Sequence, residues 1–156
     1  VLWNVTDPDN LGTLIRSAAA LGACSICLGG GCADPYGRKA LRASMGVVLG
    51  LPLAALASPD ELKGMPGRKR RLVVAAALTE QARSPLQAIR KAGRRPVALV
   101  LGNEGWGLPD SVIAACDLAV RLPMSAGVDS LNVAAAGAIL MWELFSRRGR
   151  PATRFD

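Results

Sequence analysis

Short apolar segments alternate with segments of helical spacing along most of the chain. Residues 11–21 carry apolar side chains at intervals of three and four, which is the spacing of one buried helix face. Residues 25–28, 72–76 and 97–101 are instead continuous apolar runs of strand length, as expected for strands that are buried on both faces. Strands of this kind alternating with helices predict an α/β fold, in which helices cover both faces of a mostly parallel sheet.

The same pattern assigns six strands and six helical segments. The predicted strands are residues 1–5, 25–28, 51–56, 72–76, 97–101 and 118–122. The predicted helices are residues 11–21, 38–45, 59–63, 86–91, 111–115 and 132–147. A turn, Asp7-Pro8-Asp9-Asn10, precedes the first helix, and we expect Asn10 to cap that helix.

The size and composition of the chain predict one domain over residues 1–156. With 156 residues, of which 51% are hydrophobic and 20% charged, the chain can close one sizeable core. Its apolar runs fall short of the roughly 20 residues that a membrane span needs, and no export leader opens it, so we expect a cytoplasmic protein. Because the sequence begins at Val1, on strand-like residues, we expect the C-terminal part of a longer protein, with a basic tail at 148–156.

The charge balance favours a polyanionic partner. The 19 Lys and Arg residues against 12 Asp and Glu residues give a net charge of +7, which suits nucleic acid, although a merely basic soluble surface is equally consistent with this number. Arg38, Lys39 and Arg42 share one predicted helix and are candidates to follow a nucleic-acid backbone. The basic run at 68–71 is a further candidate, for which solvated loop charges are an equal explanation.

The four cysteines raise the question of a zinc or redox site, because Cys24 and Cys27 form a C-x-x-C pair. The chain contains no histidine, and no second close pair would complete a tetrahedral metal site. Residues three apart on a strand also point to opposite faces. We therefore predict no metal, and we expect Cys24, Cys27, Cys32 and Cys116 to be buried, reduced thiols.

Three loops carry the candidate chemistry, because ligands of an open parallel sheet bind at the carboxyl ends of its strands. Gly102, Gly105 and Gly107 follow the strand at 97–101 and would allow the backbone to approach a flat ligand, although an ordinary tight loop would look the same. Their spacing is not that of a dinucleotide fingerprint, and the chain lacks a Gly-Lys-Ser/Thr phosphate loop. Ser130 and Asn132 follow the strand at 118–122, where plain helix capping is the alternative explanation.

Three motifs occur in these loops in a fixed order. They are Asp7-Pro8-Asp9-Asn10-Leu11-Gly12 with Arg16, then Leu101-Gly102-Asn103-Glu104-Gly105-Trp106-Gly107-Leu108, then Leu122-Pro123-Met124 with Asp129-Ser130-Leu131-Asn132-Val133. In order and spacing they resemble the SpoU/TrmH family of SPOUT methyltransferases. The resemblance implies an RNA methyltransferase that uses S-adenosylmethionine (AdoMet), most often on the ribose 2′-hydroxyl of ribosomal or transfer RNA. It also implies a deep C-terminal trefoil knot, which general topology rules would not predict, and an obligate homodimer.

The resemblance also implies a role for individual residues. The cofactor would be bound by Leu101, Gly102, Asn103, Gly105, Gly107, Leu122, Met124 and Leu131. The residues implied in catalysis are Asn10, Arg16, Glu104, Ser130 and Asn132, and Arg16 would contact RNA as well. Because a guanidinium holds its proton too tightly to be a good base, we expect Arg16 to stabilise charge and anchor phosphate. In the dimer that the resemblance implies, Arg16 would face the cofactor of the other subunit.

Two alternatives belong to other classes of protein. A catalytically idle knotted module for RNA binding or assembly would keep the scaffold, but this chain retains Arg16, Glu104, Ser130 and Asn132. A nucleotide-dependent oxidoreductase would need the dinucleotide loop that the chain lacks.

Overall fold

The computed structural model describes residues 1–65, 67–125, 127 and 130–146. The predicted tail at 148–156, Asp129 of the third motif and the predicted helix end at Arg147 lie outside these residues. Within them, the strands are β1 (Leu2–Trp3), β2 (Ile26–Gly29), β3 (Leu53–Leu56), β4 (Leu72–Ala76), β5 (Val97–Val100) and β6 (Leu118–Val120). The α-helices are α1 (Pro8–Ala20), α2 (Arg38–Ala43), α3 (Asp60–Gly64), α4 (Pro85–Ala92), α5 (Asp110–Ala114) and α6 (Val133–Met141).

The strands form two parallel three-stranded sheets that meet at β1. Strand β2 lies between β1 and β3, and β4 lies between β5 and β6. Leu2 forms a parallel bridge with Leu101, just after β5, and the amide N–H of Trp3 donates to the Leu101 carbonyl at 2.8 Å. The strand order is therefore β3-β2-β1-β5-β4-β6, which confirms the predicted parallel α/β architecture.

Successive residues of β4 point into two different cores. Leu72 and Val74 pack in the core that contains α1, α4 and α6, whereas Val73 and Ala75 pack with α3 and α5. All four side chains are at most 1% exposed. Both faces of the sheet are therefore covered, which explains why the strands have no alternation of polar and apolar residues.

Helix α1 begins at Pro8, so the prediction that Asn10 caps it is wrong. Asp7 has an extended backbone, and its side chain accepts a hydrogen bond from the Asp9 amide at 2.9 Å. Proline suits the first helical position because its φ is already helical and its missing N–H would have no partner there. Asn10 thus lies in the first turn of α1, and its side chain is not used as the cap of its own helix.

The last predicted helix, 132–147, is divided in the structure. Asn132 is the cap, α6 ends at Met141, and a π-helical turn follows over Trp142–Ser146. Helix α6 packs closely against α1 because Gly137 has no side chain: a Cβ there would overlap with Leu14. This close packing brings the beginning of α1 next to the beginning of α6.

None of the four cysteines forms a disulfide, but the prediction that all are buried is wrong: Cys24 is exposed, and Cys27, Cys32 and Cys116 are only half-buried. Cys24 is exposed because β2 begins only at Ile26. Cys32 is half-buried, its Sγ donates to the Gly29 carbonyl at 3.3 Å, and burial raises the pKa of its thiol. The described residues contain no group of His, Cys, Asp and Glu side chains arranged to hold a metal ion. Nor do these residues form any helix with the length and apolarity needed to cross a bilayer.

Candidate active site

A cleft of about 450 Å³ lies at the carboxyl ends of β4, β5 and β6. All eight residues predicted to bind the cofactor line it, together with Glu104 and Ser130. Leu101, Leu122 and Leu140 provide much of its apolar wall. The location agrees with the general position of ligands in parallel sheets, and the volume is in the usual range of small-molecule pockets.

One wall of this cleft was not predicted. Residues 77–79, which follow β4, line the cleft beside the two loops expected from the sequence. The loop has no glycine and no motif, so nothing in its composition drew attention to it. The available signal was topological, because the carboxyl end of β4 lies between those of β5 and β6.

The glycine-rich loop after β5 is a closed turn. The Asn103 amide donates to the Gly107 carbonyl at 2.9 Å, and the Gly107 amide donates back to the Asn103 carbonyl at 3.1 Å. A Cβ on Gly102 would lie only 2.5 Å from the carbonyl carbon and oxygen of Gly107. The turn therefore packs directly on the backbone of Gly102, and it presents Glu104 and the exposed Trp106 at its tip.

The side chain of Asn103 is buried beneath this turn, with 8% exposure. Its Nδ2 donates to the carbonyl oxygen of Asn4 at 2.8 Å. Its Oδ1 accepts from the amides of Gly105, at 2.8 Å, and Trp106, at 3.4 Å. Both ends of the amide group are thus engaged within the protein.

A chain of hydrogen bonds joins residues from all three sequence motifs. Asn132 Nδ2 donates to Asn10 Oδ1 at 3.0 Å, and Asn10 Nδ2 donates to Glu104 Oε1 at 3.0 Å. Asn132 Oδ1 in turn accepts from the amides of Ala134 and Ala135, at the beginning of α6. Three of the five residues implied in catalysis are therefore in one network.

The direction of this chain follows from the chemistry of its ends. An ionised carboxylate only accepts hydrogen bonds, so Asn10 must turn its NH₂ group to Glu104 and its oxygen to Asn132. The helix amides only donate, so Asn132 must turn its oxygen to them. Every bond then donates toward Glu104, and the Asn132 side chain that caps α6 is also the one that binds Asn10.

The basic residues predicted to contact RNA lie elsewhere. Arg16 is exposed on α1 and is not among the residues that line the cleft of its own chain. Arg38, Lys39 and Arg42 are exposed on α2 and are also separate from the cleft. The structure of one chain therefore brings together Asn10, Glu104 and Asn132, with Ser130 on the cleft wall. None of the four basic residues just named lines that cleft.

The cleft has features suited to a nucleoside-type cofactor. Leucine, valine and alanine side chains form much of its apolar wall, which suits a flat base, while the loops at 101–108 and 121–124 offer main-chain groups for hydrogen bonds. Exposed Leu131, at 43% exposure, stands at its edge with space for a ligand to cover it. The fold and this cleft define an α/β domain with a cleft of ligand size at the carboxyl ends of its strands.

Comparison with known proteins identifies the family. Residues 1–142 match the SpoU rRNA Methylase family, and the chain belongs to that family, as its motifs predicted. It is 40% identical over 144 residues to an uncharacterized tRNA/rRNA methyltransferase of Mycobacterium tuberculosis, covering 92% of this chain and 50% of the relative. It is 39% identical over 143 residues to the 23S rRNA (guanosine(2553)-2'-O)-methyltransferase RlmP of Bacillus subtilis, covering 90% of this chain and 54% of that protein.

The fold is similar to that of solved family members. The SpoU methyltransferase AviRb of Streptomyces viridochromogenes, in complex with the cofactor AdoMet, superposes with a TM-score of 0.81 at 31% identity, covering 94% of this chain and 56% of that one. The chain spans about half the length of the curated relatives it matches.

Proposed function

We propose that this chain is the catalytic domain of an AdoMet-dependent RNA methyltransferase that modifies a ribose 2′-hydroxyl of ribosomal or transfer RNA. The observation that carries the proposal is the Asn132–Asn10–Glu104 chain of hydrogen bonds beside the cleft. Three motifs separated along the sequence meet there through their polar side chains. Family membership and the names of the relatives support the same activity.

The cleft would hold AdoMet, which supplies a methyl group on a sulfonium centre when it is bound. Leu101, Leu122 and Leu131 would enclose its adenosine part, with main-chain groups of the loops fixing its orientation. Gly105 and Gly107 would allow the backbone to approach, and Asn103 would keep the turn in shape.

Glu104 would orient the attacking hydroxyl and accept its proton. Methyl transfer needs the hydroxyl oxygen held in line with the methyl carbon, so most of the task is positioning. Asn10 holds Oε1 of Glu104 at 3.0 Å and thereby limits the rotation of the carboxylate. Oε2 accepts no hydrogen bond within the described part of the chain and is left for a substrate hydroxyl.

We propose a homodimer that supplies Arg16 to the cleft of the partner. Two observations support this dimer. Arg16 is exposed and does not line the cleft of its own chain. In addition, near the end of α6, the side chains of Ile139 and Trp142 lie three residues apart and are 44% and 48% exposed. Such apolar side chains would be covered in a dimer. Arg16 would then stabilise the developing negative charge on the ribose oxygen or bind the adjacent phosphate.

RNA would approach over the basic side chains of α2. Arg38, Lys39 and Arg42 are exposed there, and the net charge of +7 favours encounter with a polyanion.

The family resemblance also leads us to propose that the C-terminal part is threaded as a deep trefoil knot, and that the domain works in the cytoplasm as the C-terminal part of a longer protein.

The deciding experiment is isothermal titration of the full-length protein with AdoMet and, separately, with NAD and ATP. We expect micromolar binding of AdoMet alone, followed by incorporation of tritiated methyl groups into ribosomal or transfer RNA lacking the modification. Glu104→Gln should bind AdoMet but transfer methyl groups at least tenfold more slowly, since the amide is a poor proton acceptor. Glu80→Gln, a change at an exposed carboxylate outside the cleft, should behave as wild type.

Two results would count against the proposal. A folded protein that fails to bind AdoMet would favour the idle scaffold. Methylation of a base rather than a ribose, seen by nucleoside mass spectrometry, would retain the enzyme class but overturn the 2′-hydroxyl as the target.

A further inference from the structure

Asn4 is hydrogen-bonded on one side to the loop after β2 and on the other to the glycine turn after β5. It directly follows β1 and has a left-handed backbone, with φ of 54°. Its Oδ1 accepts a hydrogen bond from the amide of Gly31, and its own amide donates to the Gly29 carbonyl at 3.0 Å. Asn4 is therefore fixed to Gly29, the last residue of β2, and to Gly31 in the loop that follows it, and Asn4 is itself not part of the cleft wall.

Asn103 completes the connection from the other side. Its Nδ2 donates to the Asn4 carbonyl, while its Oδ1 receives the amides of Gly105 and Trp106. The direction of the Asn4 carbonyl is set by the left-handed conformation of Asn4, which asparagine adopts more readily than most residues. The shape of the glycine turn thus depends on the backbone conformation of a residue 99 positions away in sequence.

We propose that the Asn4–Asn103 hydrogen bond is a positioning device, which holds the turn at 103–107 in the form that binds AdoMet and aims Glu104. The inference rests on the proposed function. Asn103 acts through the turn, and its side chain does not itself hold the cofactor. Because Asn103 is buried, losing the Asn4 carbonyl leaves its Nδ2 with only the long 3.5 Å contact to Thr6 Oγ1, and the turn has to move to restore a good hydrogen bond.

Variants of Asn4 separate this role from direct contact between Asn103 and the ligand. Asn4→Val disfavours the left-handed backbone, because a β-branched residue is strained there, and so displaces the carbonyl that Asn103 binds. Asn4→Gly is the matched control, since glycine keeps both the left-handed backbone and the carbonyl and removes only the side chain. If Asn103 contacted the ligand directly, a change at Asn4 would have little effect.

The experiment measures AdoMet affinity by titration in the full-length protein. It compares four variants: Asn4→Val, Asn4→Gly, Asn103→Ala and the double variant Asn4→Val/Asn103→Ala. We expect Asn103→Ala to weaken binding about tenfold, as for loss of a buried hydrogen bond. Asn4→Val should weaken it several-fold and Asn4→Gly by less than about threefold, and the double variant should bind no more weakly than Asn103→Ala alone. In steady-state assays the KM for AdoMet should rise while the KM for RNA stays unchanged.

Asn103→Asp provides a second test if Asn4→Val does not fold. Aspartate still accepts from Gly105 and Trp106 but cannot donate to the Asn4 carbonyl, so binding should weaken as in Asn103→Ala. Wild-type affinity in Asn103→Asp, equal affinities of the two Asn4 variants, or additive effects in the double variant would overturn the inference. Failure of the proposed function is a different result, because the folded wild-type protein would then not bind AdoMet at all.

Discussion

Replacement of Gly102 by alanine should impair cofactor binding more than it impairs folding. The new Cβ would lie 2.5 Å from the carbonyl carbon and oxygen of Gly107 and 2.7 Å from the amide nitrogen of Leu108. All three atoms belong to the backbone, so no side chain can rotate away to make room. The turn at 103–107 must therefore move outward by about 1 Å to reach an ordinary contact distance.

The magnitude follows from what holds the turn in place. The paired hydrogen bonds between Asn103 and Gly107, at 2.9 and 3.1 Å, resist such a movement. Overpacking of this kind costs roughly 1–3 kcal/mol. If the turn relaxes in the free protein and must be restored on binding, the same energy appears as a loss of AdoMet affinity of about 5- to 100-fold.

Titration calorimetry with AdoMet and thermal denaturation, performed on the same samples, check this prediction. Gly64→Ala is the control, because a Cβ on Gly64, at the end of α3, meets no atom within 4 Å. We expect that variant to bind AdoMet as wild type does. Unchanged affinity in a folded Gly102→Ala protein would refute the reasoning, since it would mean that the shape of the turn does not determine binding.

Three further predictions concern other parts of the structure. Asn10→Asp places a second carboxylate against Glu104 Oε1, which in the wild type lies 3.0 Å from the Asn10 amide nitrogen. The repulsion between the two carboxylates should lower kcat at least tenfold while the melting temperature changes little. A kcat near that of wild type would contradict the role of the network. Trp142→Glu should convert the proposed dimer to monomers in analytical ultracentrifugation and abolish methyl transfer, and an active monomer would contradict a shared site. Iodoacetamide at pH 8 should label exposed Cys24 well before Cys32, as followed by mass spectrometry, because the raised pKa of Cys32 keeps its thiol protonated. For the same reason, the stability that Cys32 contributes as a neutral thiol should be complete at neutral pH. Denaturant titration should show that this stability falls as the pH rises through the alkaline range where thiols ionise.

The sequence was sufficient to predict the layers of the fold and the loops of the cleft. Continuous apolar runs such as 72–76 reflect burial on both faces, and this property of parallel sheets is local enough to be read along the chain. The position of the cleft then followed from the rule that ligands bind at the carboxyl ends of strands. The family, and with it the cofactor class found in AdoMet-bound relatives, followed from three motifs rather than from composition.

Other features depended on information that the sequence pattern does not contain. Asp7 and Asn10 are both good capping residues, and the choice between them depended on Pro8, which fits the first helical turn. The role of Asn4 was missed because a left-handed backbone at an asparagine leaves no mark in the hydrophobic pattern. The separation of Arg16 from the cleft of its own chain was expected only from the family resemblance, because local periodicity does not report how distant parts of the fold lie.

The central position of β1 has a consequence for how the molecule folds. Strands β1 to β3 lie within residues 2–56 and β4 to β6 within residues 72–120, so the paired residues within each half of the sheet are closer in sequence than Leu2 and Leu101, which join the halves. Within the sheet, the halves meet along residues 1–3 and 99–101, where Leu2 pairs with Leu101, and closing this longer loop costs about 1 kcal/mol more in entropy. We expect the two half-sheets to form early and their junction to be the slow step. Because Asn4 and Asn103 lie beside that junction, the binding site would be completed only when the sheet itself is complete.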